Sequence, residues 1–240
     1  MTENSKSNPD LIKKLTDDGA AAHIRAAVIN AEWHEGLLKR APHETIGGDL
    51  AVVAKYYFDQ NSISAVLTDS LCTDMKMTPE EVFETALRHT ESDGYEFMPI
   101  GDIINRLTNG AADPPAEDCP IYVLRTSTEV DGASVIASRK AMAEVGEKIG
   151  GNYTVLPSSV HEVLVIPDSR IDTPDDIREL EQIVRDINAS VVQPDDLLSN
   201  HIYHYDRRTH TLSQIDTKNL SETKTLSEKT AVEKTVSRTR

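Results

Sequence analysis

The sequence predicts an α/β fold of the α+β type, in which hairpin-plus-helix units form a mixed or antiparallel sheet packed by helices. Apolar runs of strand length alternate along the chain with segments in which apolar side chains recur at helical spacing. The core must be aliphatic, because hydrophobic residues make up 38% of the 240 residues and aromatic residues only 5%. This length suffices for one ample domain or two small ones.

Residues 8–40 are predicted to form two helices, since apolar side chains recur there at spacings of three and four. The apolar positions of the second helix are Ile24, Ala27, Val28 and Ala31. Pro42 ends this segment, because a proline disfavours helical backbone in the residue before it. We therefore expect an N-terminal helical segment over residues 1–44.

A first hairpin/helix unit is predicted over residues 45–108. Residues 49–58 form an apolar and aromatic run of strand length, residues 59–61 are typical of a turn, and residues 62–67 largely alternate between polar and apolar. Together they predict a β-hairpin. A further short helix is expected at residues 100–107.

Two helix starts share one pattern, a threonine followed by a proline and two acidic residues. Thr78 and Thr173 are the expected N-caps, because each is followed by proline at the first helical position and an acidic side chain at the third. We therefore predict that a helix begins after each threonine.

A linker is predicted over residues 109–119, because two prolines, a glycine and three acids fall within the ten residues from Asn109 to Asp118. A second α/β unit follows over residues 120–216. Its expected elements are strands at residues 121–125, 133–137, 153–156, 160–166 and, last, 202–205, with a helix at residues 138–149. Residues 217–240, where Glu-Lys-Thr units recur, are predicted to form a disordered tail.

The formal net charge is −15, and it is unevenly spread. Residues 1–206 carry 17 basic and 36 acidic residues, whereas residues 207–240 carry eight basic and four acidic ones. Because so acidic a body repels phosphate backbones, we expect no direct binding to nucleic acid.

We expect a cytoplasmic protein without a membrane partner. No apolar stretch approaches the ~20 residues of a membrane-spanning helix, and the first ten residues contain no apolar core of a secretory signal. The two cysteines, Cys72 and Cys119, lie in dissimilar surroundings and predict no disulfide framework.

Three stretches of the chain together resemble one family. They are residues 28–32 (VINAE) with Leu37, Leu38, Pro42 and His43; residues 156–168 (LPSSVHEVLVIPD); and residues 198–206 (LSNHIYHYD). In this order they resemble an uncharacterised family of anaerobic Firmicutes, domain of unknown function 5688, and more distantly the YtpQ-type proteins of Bacilli. The resemblance covers residues 25–206 and implies a fold but no catalytic residue. Family members usually carry a further N-terminal region, so it also implies that this chain corresponds to the second part of such a protein.

The candidate catalytic residues are Ser159 as nucleophile, His161 as base and Asp168 as the group that orients the base. Neighbours this close on a hairpin compete for the same space, and no G-x-S-x-G elbow accompanies them. Pro157-Ser158-Ser159 is also typical turn chemistry. We therefore predict a hydrogen-bonded corner or a loop that contacts a partner, and no catalytic residue.

Candidate metal ligands are His201, His204, Asp206 and His210. Only residues two apart share one face of a strand, so His204 and Asp206 can converge whereas His201 cannot. No Glu-x-x-His or Cys-x-x-Cys motif supplies further ligands. We predict surface histidines, with no metal and no cofactor.

These patterns favour a non-catalytic interaction or regulatory module that binds an unknown protein partner, in an oligomeric state that the sequence leaves open. The chain is accordingly expected not to be an enzyme. Two alternatives stay open. One is a small hydrolase that uses Ser159 and His161, and the other is an acidic decoy that mimics nucleic acid and binds a basic protein.

Overall fold

The computed structural model describes residues 19–58, 63–108, 121–128, 130–157, 159–218 and 220. Several predicted features lie outside these residues, namely the first helix, the turn at residues 59–61, the linker at residues 109–119 with Cys119, Ser158 and most of the tail.

Two sheets organise the described chain. The first contains β1 (Ile24–Asn30), β2 (His43–Ile46), β3 (Leu50–Phe58) and β4 (Ile63–Val66). Strand β3 is central: β1 pairs with one of its edges, while β2 and β4 pair in succession with the other. The predicted hairpin is confirmed, because β3 and β4 pair antiparallel.

The second sheet has six strands in the order β10-β9-β7-β8-β6-β5. They are β5 (Tyr95–Pro99), β6 (Tyr122–Thr126), β7 (Tyr153–Leu156), β8 (Val163–Pro167), β9 (Tyr203–Asp206) and β10 (Thr211–Gln214). All neighbouring strands run antiparallel, so the predicted α+β class is confirmed. The prediction that the strand at residues 202–205 is the last one is wrong, because β10 follows it in a hairpin.

Six α-helices surround these sheets in the described residues: α1 (Glu35–Leu38), α2 (Asp69–Asp74), α3 (Pro79–Asp93), α4 (Ile100–Leu107), α5 (Arg139–Ile149) and α6 (Pro174–Ser190). Both predicted helix starts are confirmed as capping boxes, Thr78 with Glu81 and Thr173 with Asp176. No helix of the described residues has the length and apolar character needed to cross a membrane.

The second helix predicted within residues 1–44 is wrong, because Ile24–Asn30 forms strand β1. Six of its seven residues are buried, so the strand lacks the polar–apolar alternation that would have revealed it. Its β-branched side chains, Val28 among them, also favour extended backbone. Burial on both faces produced a pattern that matched helical spacing by coincidence.

The short strand predicted at residues 133–137 is also wrong, because Gly132–Ala137 is a 3-10 helix. The backbone N–H of Ser134 donates to the carbonyl of Asp131, and that of Ser138 donates to Val135. This segment is apolar because it packs beneath β1 and β6.

Strand β3 is buried on both faces. Leu50 and Val52 point into the main core, which the two sheets share, whereas Ala51 and Val53 point into a smaller cluster with Leu37 of α1. Because neither face meets water, the strand reads as an uninterrupted apolar run.

Helix α3 covers the free edge of β1. The backbone N–H of Ala26 donates to Thr90 Oγ1 over 2.8 Å, and Nδ1 of His89 lies 3.1 Å from the carbonyl oxygen of Ile24. Unpaired strand edges invite association with other chains, so a helix in this place closes one side of the first sheet. The outer face of the second sheet is covered by α6.

Gly132 provides a direct test of how the 3-10 segment packs against β6 and the chain around His161. A Cβ atom there would lie 2.1 Å from the carbonyl oxygen of His161 and 3.0 Å from Cβ of Arg125. We expect Gly132→Ala to lower the free energy of unfolding by about 3 kcal/mol in urea denaturation. The control is Gly36→Ala in α1, where a Cβ meets nothing within 4 Å. It should change stability by less than ~1 kcal/mol, and equal effects of the two changes would contradict the packing described.

Candidate functional site

The three candidate catalytic residues do not lie in one hydrogen-bonded row. Nε2 of His161 lies 3.2 Å from Oδ1 of Asp196, and the hydroxyl of Ser159 accepts a hydrogen bond from the backbone N–H of His161 over 3.1 Å. The His161 side chain is 46% exposed. In the described part of the chain, Ser159 and His161 thus serve to hold a corner against the segment that contains Asp196.

Asp168 lies with a different histidine. Its Oδ2 is 2.8 Å from Nε2 of His204, and its Oδ1 accepts a hydrogen bond from Thr154 over 3.2 Å. Thr154 and His204 are paired across β7 and β9, which explains why one carboxylate reaches both. The hydrogen bond from His204 to Asp168 raises the pKa of His204 above its usual value, against the opposing effect of burial.

The candidate metal ligands do not converge, because each of them contacts different groups. Asp206 accepts hydrogen bonds from the backbone N–H groups of Arg208 and Thr209, which lower the pKa of its carboxyl. Nδ1 of His210 lies 3.0 Å from the hydroxyl of Tyr205. Within the residues that the structure describes, no three His, Cys, Asp or Glu side chains are placed to hold a metal ion.

His201 contacts a buried carboxylate. Its Nδ1 lies 3.1 Å from Oε1 of Glu181, and the hydroxyl of Thr217 donates to Oε2 over 2.7 Å. Burial alone would raise the pKa of Glu181, but the hydrogen bonds from Thr217 and His201, with the charge of Arg185, lower it below its usual value. This carboxylate therefore fastens the chain after β10 to helix α6.

Cys72 is buried in α2. Burial, with a smaller effect from Asp69, raises the pKa of its thiol to about 11. Because the thiolate is the nucleophile, this environment suits a core residue and opposes catalysis.

A buried carboxylate joins the two sheets. Oδ2 of Asp49 accepts hydrogen bonds from Asn30 Nδ2 and Ser199 Oγ, each over 3.0 Å, and Oδ1 accepts one from the hydroxyl of Tyr203. All four residues are at most 7% exposed. Burial, reinforced by Asp49, raises the pKa of Tyr203, so its hydroxyl stays protonated and remains a donor.

Gly47 allows this junction to close. Its φ is +68°, and a Cβ atom would lie 2.7 Å from the ring of Tyr203. Its carbonyl accepts a hydrogen bond from the backbone N–H of Gln214 over 2.6 Å, and Gly47 forms one parallel bridge with Ser213. At this point the edge strands β2 and β10 of the two sheets meet.

A cleft of about 610 Å³ is lined by these two edge strands, helix α3 and the start of α5. Its apolar lining includes Ile46, Val52, Leu87, Met142 and Leu212. Its charged lining consists of Glu44, Glu91 and Arg139, and the imidazole of His210 lines it as well; all four residues are exposed. An apolar floor with a few charged groups around it is typical of a binding site.

The polar side chains that the described residues place in the cleft contact one another, as the Ser138 hydroxyl does at 3.5 Å from Oε1 of Glu91. The Tyr205 hydroxyl contacts His210, but burial and the charge of Asp206 raise the pKa of Tyr205. Ser138 is the N-cap of α5 and accepts the backbone N–H of Ala141. A Tyr205 hydroxyl with a raised pKa and a Ser138 hydroxyl that caps α5 suit binding better than proton transfer.

A match to the family of unknown function DUF5688 covers residues 1–207. The chain belongs to this family. The DUF5688 match takes in strands β1 to β9 and ends before β10, so one wall of the cleft lies beyond it. No curated protein and no solved structure matches the chain significantly. Because the DUF5688 description assigns no activity, function must be inferred from geometry.

The sequence did not reveal the cleft. Its lining residues come from β2 with β3, from α3, from the 3-10 segment with the start of α5, and from the β9–β10 hairpin, and these four parts lie far apart in the chain. None of them carries a motif by itself. Edge strand β2 also straddles the predicted boundary between the segment over residues 1–44 and the unit over residues 45–108, and it is not among the predicted strands.

The contact between His204 and Asp168 predicts a dependence of stability on pH. Because the folded pKa of His204 is raised, the stability that the pair contributes is complete below the unfolded pKa of ~6.5 and is lost as the pH rises through the folded value. We expect His204→Gln to cost about 1 kcal/mol at about pH 5.5 and distinctly less at about pH 9.

Urea denaturation of the wild type and the variant at both pH values measures this difference. Asp168→Asn serves as the control, because it removes the partner and should abolish the same pH dependence. A cost of His204→Gln that stays constant or grows with pH would show that the ring is not held protonated by Asp168.

Proposed function

We propose that this DUF5688 chain is a non-catalytic interaction module whose cleft binds a segment of a partner protein. The observation that carries this proposal is the cleft itself, which combines an apolar floor with exposed charges at the junction of two sheets. Sites of this kind gain affinity from apolar burial and orientation from the few polar groups around it.

The charge of the chain favours a basic partner. Residues 1–206 carry 19 more acidic than basic residues, by subtraction of 17 from 36, and Glu44 and Glu91 lie at the cleft. A field of this sign raises the rate at which a positively charged segment arrives. Arg139 also lines the cleft, so the site offers one basic group beside its acidic ones.

The geometry gives the hydrolase alternative no support. Asp168, which would have to orient His161, lies instead with His204. The Ser159 hydroxyl accepts the backbone N–H of His161 and is thereby used in the corner.

Site-specific photo-cross-linking tests the proposal in cells that produce the protein. A benzoylphenylalanine in place of Thr211, exposed at the cleft, should form a cross-link to another protein, whereas the same residue in place of Ser64, exposed on β4, should not. The cross-linked protein, purified, should bind the wild type, and Leu212→Arg should weaken its binding by at least about tenfold.

Leu180→Arg on α6 is the matched control, since Leu180 is half-buried like Leu212 but lies on the outer face of the second sheet. It should leave the dissociation constant within about twofold of the wild type. Identical cross-linked products from Thr211 and Ser64, or binding that Leu212→Arg does not weaken, would refute the proposal.

A further inference from the structure

We infer that the partner segment binds in extended conformation, as a strand added to the free edge of β2. This inference rests on the proposed function, because it specifies how the cleft is filled. Two observations point to it: the outward backbone groups of β2 face no strand of the described chain, and the apolar floor continues the sheet face on which β2 lies.

The orientation of the β2 backbone follows from its neighbours. The backbone N–H of Leu67, the residue after β4, donates to the carbonyl of Ala54 in β3. Because alternate residues of a strand direct their backbone groups to the same edge, the even-numbered residues of β3 form their hydrogen bonds toward β2 and β4. Glu44 is paired with Val52 and therefore bonds to β3. Thr45, one residue further, turns its N–H and C=O groups to the opposite side.

Just beyond β2, the next residue whose backbone groups point away from β3 already pairs with another strand. Gly47, two residues after Thr45, accepts the backbone N–H of Gln214 and bridges to Ser213 of β10. The outer edge of β2 is therefore able to pair with a strand, and it does so with β10 at Gly47. Beyond the bridge, at Thr45, the described chain offers no pairing strand, and the cleft lies there.

The side chains of β2 define what the added strand carries. Glu44 and Ile46 lie on the same face as their cross-strand partners Val52 and Leu50, which face the main core. An added strand places every second side chain over the same face. We therefore expect a basic side chain beside Glu44 and an apolar one beside Ile46, since opposite charges and apolar pairs are favoured across strands.

The partner chemistry is thus an extended segment in which one basic and one apolar side chain stand two residues apart. The acidic body of the chain supplies charge complementarity for it. Strand addition of this kind draws affinity from main-chain hydrogen bonds and specificity from alternate side chains. About five residues, the usual length of a strand, would span the edge of β2.

The probe is a peptide selected on the full chain from a random-peptide phage library, with affinity measured by fluorescence polarisation. Thr45→Pro removes the outward N–H of β2 without removing a bond to β3, and proline is tolerated at such edge positions. It should weaken binding by about tenfold. Thr45→Val, which keeps the backbone donor, should stay within about twofold of the wild type.

N-methylation of the peptide gives an independent readout that does not depend on the folding of any variant. Methyl groups at alternate residues should abolish binding, because only every second N–H of an added strand points at β2. A loss at every residue, at helical spacing, or at none would overturn strand addition. So would a cleft cross-link from Thr211 to a second copy of this chain or to its own residues 221–240.

The two proposals fail differently. If peptide binding is weakened by Leu212→Arg but not by Thr45→Pro or by alternate N-methylation, the cleft binds a partner in another conformation and only the added strand is refuted. If the peptides bind Leu212→Arg as well as the wild type, the cleft is not the binding site and the proposed function is refuted with it.

Discussion

The buried carboxylate of Asp49 is the constraint on which the arrangement of the two sheets depends. It follows β2 in the chain, yet its hydrogen-bond donor Tyr203 belongs to β9 of the second sheet, and its donor Ser199 lies in the segment that leads into β9. A buried charge without such donors would be costly, so the folded state must bring both sheets together at this point. The side chain amide of Asn30, which also donates to the carbonyl of Leu198, completes the set.

A second buried carboxylate links the first sheet to the 3-10 segment. Asp131 accepts hydrogen bonds from Lys55 Nζ over 2.8 and 2.9 Å and from the hydroxyl of Tyr57 over 2.6 Å. Burial, with Asp131 as the next cause, raises the pKa of Tyr57, which remains a donor. Buried pairs of this kind contribute little net stability, but breaking one leaves an uncompensated charge. We therefore regard Asp49 as a group that specifies how the two sheets meet, and Asp131 as one that specifies how the 3-10 segment meets the first sheet.

The cleft is a consequence of that meeting. Two sheets that touch at Gly47 and Ser213 but diverge beyond them leave an opening whose walls are strand edges. The edge of β1 is covered by α3, whereas the outward groups of Thr45 on β2 face the opening. Proteins ordinarily cover, shorten or charge their strand edges, so an open edge beside an apolar floor suits the reception of another chain.

Local sequence determined the elements whose signals are local. The capping boxes at Thr78 and Thr173, the left-handed Gly150 after α5 and the β3–β4 hairpin could all be predicted, because a cap or turn needs only neighbours in the chain. Only the tertiary structure decided that β1 is a strand, that Asp168 lies with His204, and that a cleft opens beside β2. Each of these depends on burial, or on contact between residues far apart in sequence. The periodicity and spacing of residues along the chain carry no information about such contacts.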